Sequence, residues 1–187
     1  MSQQTLPSAS DSSLKVWVGC LACYNAGRLV GHWVEAVNAD QETVQTVHRA
    51  AGARPRFDCE ELWVFDVENF PIQREMILWE AAEWGRAYAE VEPTEWESLS
   101  AWVRTGAYVA EGKASVPSIS AFHERYQGHW QSFRAFVENQ ADETALMEGW
   151  PELAVAYFNW VSWTRDVELG YEVQRAEDGG VHVFLRI

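Results

Sequence analysis

From Val16 to Tyr24 apolar and β-branched positions run with little interruption. Asn25-Ala26-Gly27-Arg28 then supplies turn residues, and Leu29 to Val34 forms a second such run. This pattern predicts a hairpin. Asn38 or Asp40 can cap a helix over residues 41–51, with Val44, Val47 and Ala51 on one face and Gly52 suited to its C-terminal end. Leu62 to Val67 reads as a third strand. After Pro71 the spacing of Ile72, Met76, Leu78, Trp79, Ala82 and Tyr88 becomes helical. Pro93 breaks that period, and Thr94 with Glu97 has the spacing of a capping box opening a helix that buries Trp96, Leu99, Trp102 and Val103. Residues 105–118 contain two Gly, two Ser and one Pro and read as a linker or long loop. Ser132 can cap a helix holding Phe133, Phe136 and Val137, and residues 153–169 are helical with a break near Asn159. Tyr171 to Gln174 and Val181 to Arg186 alternate around Asp178-Gly179-Gly180, a hairpin signal.

The order is ββαβ, then helices, then helices with a terminal hairpin, which predicts an α+β protein built as an elongated chain of three small domains. Residues 1–13 read as a flexible leader, 14–70 as an N-terminal module, 71–115 as a helical middle module and 116–187 as a C-terminal α+β module. The leader is rich in Ser, Gln and Thr and has too little apolar surface to offset its own ordering entropy. Over the whole chain a hydrophobic fraction of 48% with 11 Trp excludes a disordered acidic tail. Trp79, Trp96 and Trp102 are expected in small cores, Trp17, Trp33 and Trp63 on strand faces, and Gly27, Gly31 and Gly128 in tight turns. No apolar run approaches the roughly 20 residues that span a bilayer, and the first residues lack the basic and apolar regions of a signal peptide, so the protein is expected in the cytoplasm.

Little in the sequence supports catalysis. Cys20 and Cys23 form a CxxC pair, but zinc needs a second pair and only Cys59 remains. On a strand, an offset of three would also point the two side chains to opposite faces. The cysteines are therefore expected to be structural, and neither a metal nor a cofactor is expected. Three is also an odd number for a disulfide framework, in keeping with a reducing compartment. His123-Glu124 and His129 have the wrong interval for HExxH, and neither a phosphate-binding glycine loop nor a nucleophile elbow is present. No enzymatic activity is expected.

Charge changes the picture more than motifs do. The chain holds 28 acids against 14 bases, a net charge of −14, which argues against binding nucleic acid or anionic membrane. Residues 1–56 carry 4 acids and 5 bases, whereas residues 57–187 carry 24 acids and 9 bases. The later part therefore has a net charge of −15. Glu80 with Glu83, and Glu92 with Glu95, place like charges three residues apart, an arrangement that costs stability on a helix. A solubilising face explains such acids, and so does a surface that imitates DNA phosphates. Duplex DNA carries one charge per about 1.7 Å, so fifteen charges match about 26 Å of duplex.

Several stretches resemble the ArdA antirestriction proteins: VGCLACYNAGRLVGHWVEA, LWVFDVENF, FHERYQGHWQSFRAFVENQAD, YFNWVSWTRDVELGYEV and VHVFLRI. The resemblance runs from about Val16 to Phe184. His129, Gln131, Asn159 and Ser162 depart from a family tendency toward acidic or acidic-aromatic residues there. The resemblance implies a non-enzymatic DNA mimic, a curved acidic homodimer of three small domains per subunit. It would occupy the DNA-binding groove of type I restriction-modification enzymes, on their methyltransferase core, and would be carried by mobile elements. On that reading Asp58, Glu60, Glu61, Asp66 and Glu68 form an acidic edge on the first module. Glu75, Glu80, Glu83, Glu90, Glu92, Glu95 and Glu97 extend it over the middle, and Glu138, Asp142, Glu143, Glu148 and Glu152 over the third. An acidic adaptor for another basic protein, or a small enzyme using His123, Glu124 and His129, are the rival readings.

Overall fold

In the computed structural model, which describes residues 13–186, Val16, Val18 and Cys20 are fully buried at alternate positions of strand β1 (Lys15–Cys20). This strand is central to a three-stranded antiparallel sheet, flanked by β2 (Gly31–Glu35) and β3 (Leu62–Glu68). The predicted hairpin is present, but its first strand stops at Cys20. Residues Leu21–Asn25 form a short helix, α1, in the connection, and Gly27 leaves it at φ 71°, a left-handed conformation that glycine adopts without a Cβ penalty. Opposite Trp17 and Val18 the register with β3 shifts so that Asp66 and Val64 are their partners and Phe65 is an extra residue. This bulge inverts the side-chain alternation. Val64 and Val67 face the core, whereas Asp66 and Glu68 are exposed.

The helix predicted from residue 41 starts later, as α2 (Val44–Ala50). Its cap is Thr43, whose hydroxyl accepts from the Thr46 amide at 3.2 Å while the Thr46 hydroxyl accepts from the Thr43 amide at 2.8 Å. Asn38 and Asp40 do not cap it because they lie in a 3-10 helix, Ala36–Gln41. The helical period assigned from Ile72 is realised only from Leu78, in α3 (Leu78–Ala89). This helix packs closely on the Ala36–Gln41 segment: a Cβ on Gly85 would lie 2.3 Å from the Val37 amide nitrogen. Trp84 and Tyr88 form its buried aromatic face, with Phe70 against Trp84. Trp79 is on the other side, 41% exposed, contrary to its expected burial. Residues 105–118 are more ordered than a linker, since Ala110–Glu111 (β4) pairs with Val116–Pro117 (β5).

Among the described residues a second compact unit comprises 97–109 and 120–186, the first holding 13–96 and 110–119. Helix α4 (Trp96–Arg104) follows directly on a 3-10 turn, Pro93–Glu95, so the Thr94/Glu97 capping box does not form. Pro93 starts the turn before Thr94 can act as a cap, and the Glu97 carboxylate turns elsewhere. In the second unit Trp102, Phe122 of α5 (Ile119–Arg125), Tyr126 of β6 (Tyr126–Trp130) and Phe184 form one aromatic cluster. Ser132 caps α6 (Phe133–Glu143) as expected, accepting from the Ala135 amide at 3.1 Å. The break near Asn159 separates α7 (Glu152–Ala156) from α8 (Trp160–Glu168), with Asn159 capping the latter. The terminal hairpin is β7 (Tyr171–Arg175) with β8 (Val181–Leu185), and β6 adds to β8 as a third strand that periodicity alone did not indicate. Small antiparallel sheets with segregated helices make the protein α+β.

Candidate acidic interface

The chain places most of its carboxylates outside the cores. The bulge at Phe65 turns Asp66 and Glu68 outward together. In the segment before β3, Asp58, Glu60 and Glu61 are exposed around the buried Cys59. Around α3, Glu75, Glu90 and Glu92 are exposed, while Glu80, Glu83 and Glu95 are half-buried. In the second unit Glu97, Asp142, Glu143, Glu148 and Glu152 are exposed and Glu138 is half-buried. Asp142 and Glu148 line one shallow depression of about 270 Å³ with Ala141, Ala145 and Met147.

Counter-ions divide these groups into two sets. Asp58 pairs with Arg56 at 2.8 Å, Glu83 with Arg86 at 2.6 Å and Glu138 with Arg134 at 2.7 Å, and Glu80 pairs with Arg74. Arg86 also reaches Asp40 at 3.1 Å, and its guanidinium is held more firmly protonated by Glu83. Thus the like-charge spacing of Glu80 and Glu83 is relieved by an arginine on each. Glu97 accepts from the Glu177 amide at 2.9 Å and lies 3.4 Å from Nε2 of His182, and the amide bond above all lowers its pKa. By contrast, Glu60, Glu61, Glu68, Glu75, Glu90, Glu92, Asp142, Glu148 and Glu152 meet no cation among the described residues.

The end of α6 is chemically costly. Asp142 and Glu143 occupy its last turn with no basic residue there, where the helix macrodipole disfavours each acid by about 0.3–1 kcal/mol. The chain then turns through Ala145 at φ 51°, with Leu146 N–H donating to Ala141 O at 2.9 Å and Ala145 N–H to Asp142 O at 3.0 Å. That is a Schellman turn with alanine where glycine is favoured.

His123, Glu124 and His129 do not assemble a metal site among the described residues. His129 pairs instead with Asp178 at 3.0 Å, and the Gly180 amide is the main group lowering the Asp178 pKa. Cys20, Cys23, His48 and Cys59 do converge, their donor atoms all lying within 4.8 Å of one another. The expected divergence of Cys20 and Cys23 is overturned because the strand ends between them: Cys23 lies on α1, one turn beyond Cys20. Burial, and then the neighbouring thiols, push the Cys23 thiol up to about 11. At Cys59 burial also acts upward, but hydrogen bonds from the Arg56 amide and the other thiols outweigh it and the net shift is downward. Neither His48 nor this convergence was visible in the sequence.

No helix among the described residues is long and apolar enough to cross a membrane. No individual curated protein matches the chain. Residues 16–182 match the family described as "Antirestriction protein (ArdA)", the same family that the hairpin, YQGHW and RDVELGYEV motifs resemble. The family is one of proteins that act against restriction-modification systems, and with nearly all of its described residues inside that match, the chain belongs to the ArdA antirestriction proteins.

Proposed function

We propose that the protein inhibits type I restriction-modification enzymes by presenting carboxylates in place of DNA phosphates to the basic groove of their methyltransferase core. The observation that carries this reading is the set of exposed, cation-free carboxylates within a segment of net charge −15. A basic groove releases counter-ions to a polyanion whatever its chemistry, so displaced DNA and a strong salt dependence are the expected signature. The energy is spread over many screened contacts, each worth about 0.2–1 kcal/mol.

The reading includes a homodimer. Two faces of net negative charge repel on contact, so joining through apolar surface is favoured. Leu153, Tyr157, Val161 and Leu169, at 70%, 82%, 74% and 74% exposure, offer such a surface on and beside α7 and α8.

The test is titration of the protein into a type I methyltransferase core carrying labelled DNA, at several salt concentrations. Displacement that weakens with salt supports the reading. A stable ternary complex with DNA still bound refutes it, and restriction of unmodified phage in cells with and without the gene, across type I and type II systems, checks the selectivity.

A further inference from the structure

Cys20, Cys23, His48 and Cys59 come from three separate places in the first unit. Cys20 ends β1 and begins α1, so Cys23 follows one helical turn later. His48 reaches the same point from the last turn of α2, and Cys59 from the turn Arg56–Cys59, closed by a bond from the Cys59 amide to the Arg56 carbonyl at 3.1 Å. Cys20 and Cys23 are 0% exposed, His48 1% and Cys59 8%.

The geometry points to a structural zinc-type site whose four ligands are the thiolates of Cys20, Cys23 and Cys59 and one imidazole nitrogen of His48. Distances separate it from the alternatives. Two thiolates about 2.3 Å from a tetrahedral ion stand about 3.8 Å apart, and a thiolate and an imidazole nitrogen about 3.6 Å apart. Sγ of Cys23 is 3.7 Å from Sγ of Cys59 and 3.9 Å from Nε2 of His48. A disulfide needs about 2.05 Å, and all three cysteines are free thiols. An ordinary core histidine satisfies both ring nitrogens, but Nδ1 of His48 has no hydrogen-bond partner among the described residues, and its Nε2 faces sulfur.

The donor set also selects the metal. Three sulfurs and an imidazole favour zinc over magnesium or calcium, which take oxygen ligands. Four protein ligands leave no open position for water, so the ion holds structure and does no chemistry. Binding releases to solvent the proton of each thiol not already ionised. Zn²⁺ with three thiolates and a neutral imidazole carries −1, and the guanidinium of Arg28, 3.0 Å from Sγ of Cys23, faces that charge. The Arg56 amide, 3.4 Å from Sγ of Cys59, supports a second ligand from outside. The ion would tie together the β1–α1 corner, α2 and the turn that displays Asp58, Glu60 and Glu61.

The full chain, produced with zinc in the medium and purified reduced without chelator, should contain one zinc per chain by elemental mass spectrometry. Removal of the metal should lower its melting temperature, and zinc alone should restore it. Co²⁺ exchanged into the site should give the strong visible bands of a tetrahedral ion and near-ultraviolet thiolate charge transfer. Cys59→Ser and His48→Gln should weaken retention against a chromophoric chelator. If these variants fail to fold, the cobalt spectrum of the unaltered chain decides. The proposal is overturned if the reduced chain takes up neither metal stoichiometrically, if cobalt shows no thiolate charge transfer, or if fresh protein carries a Cys23–Cys59 disulfide.

Discussion

Glu60, Glu61, Glu68, Glu75, Glu90 and Glu92 replaced together by glutamine would remove six charges from the first unit without touching a buried side chain, since all six are exposed and none has a cationic partner among the described residues. At about 0.2–1 kcal/mol for each screened contact, the loss is about 1–6 kcal/mol, or roughly tenfold to ten-thousandfold in Kd. The breadth reflects how many of the six reach the groove, so single replacements should stay within about fivefold. The opposite perturbation has the opposite sign. Arg74→Gln, Arg86→Gln and Arg134→Gln unmask Glu80, Glu83 with Asp40, and Glu138, and should tighten binding at low salt. Competition against fluorescent DNA on a methyltransferase core measures both, with circular dichroism to verify folding and a salt series to show a shallower dependence for the glutamine variant. Inhibition unchanged by the sextuple replacement in a folded protein, or abolished by one member alone, would refute a distributed phosphate-like surface.

Gly85→Ala drives a Cβ to within 2.3 Å of backbone that has nowhere to move, so about 2–3 kcal/mol of stability and about 5–10 °C of melting temperature should be lost; an unchanged melt would mean that α3 does not approach the Ala36–Gln41 segment this closely. Ala145→Gly relieves the left-handed alanine at φ 51° and should stabilise by about 0.5–1 kcal/mol in urea titrations. The Glu177 amide above all holds the Glu97 carboxyl below the usual carboxylate range, so its contribution is present above that range and disappears as pH falls through the lower folded pKa. Glu97→Gln should flatten the stability profile below about pH 5 and cost about 1 kcal/mol at neutral pH, after allowance for its exposure. Tyr157→Asp with Val161→Asp should convert a dimer to monomer in light scattering; a dimer that persists would place the subunit contact elsewhere.

Features governed by neighbours in sequence were legible before the fold was known. Ser132 as a cap, Asn159 as a helix break and Asp178-Gly179-Gly180 as a turn all act within a few residues of themselves. The misreadings come from longer-range competition. Asn38 and Asp40 have the chemistry of caps, but they lie in the Ala36–Gln41 3-10 helix, whose Ala36 and Val37 backbone packs closely on Gly85 of α3. Trp79 fits a helical period drawn from Ile72, but the helix starts only at Leu78 and buries Trp84 instead. YQGHW lacks the alternation of a strand, yet becomes β6 because β8 offers it a free edge and Gly128 accommodates an irregular register at φ 102°.

The two candidate sites differ in legibility for one physical reason. On the proposed reading an acidic surface acts by the sum of its charges, so composition alone points to it, and tertiary structure only sorts which carboxylates already have a cation. The sulfur–imidazole cluster acts by geometry within a few ångströms, and the residues between Cys23 and His48 carry no signal that β1, α1 and α2 will converge. The structure joins the two. Acids that repel one another, and those set against the α6 dipole, lower the stability of small units that have limited cores. Compensation must come from interactions that do not dilute the surface charge, because every added lysine or arginine would weaken a polyanion. Buried aromatic clusters around Trp84 and Trp102 meet that requirement, and so would the proposed ion, one of whose buried ligands, Cys59, lies in the segment that carries Asp58, Glu60 and Glu61.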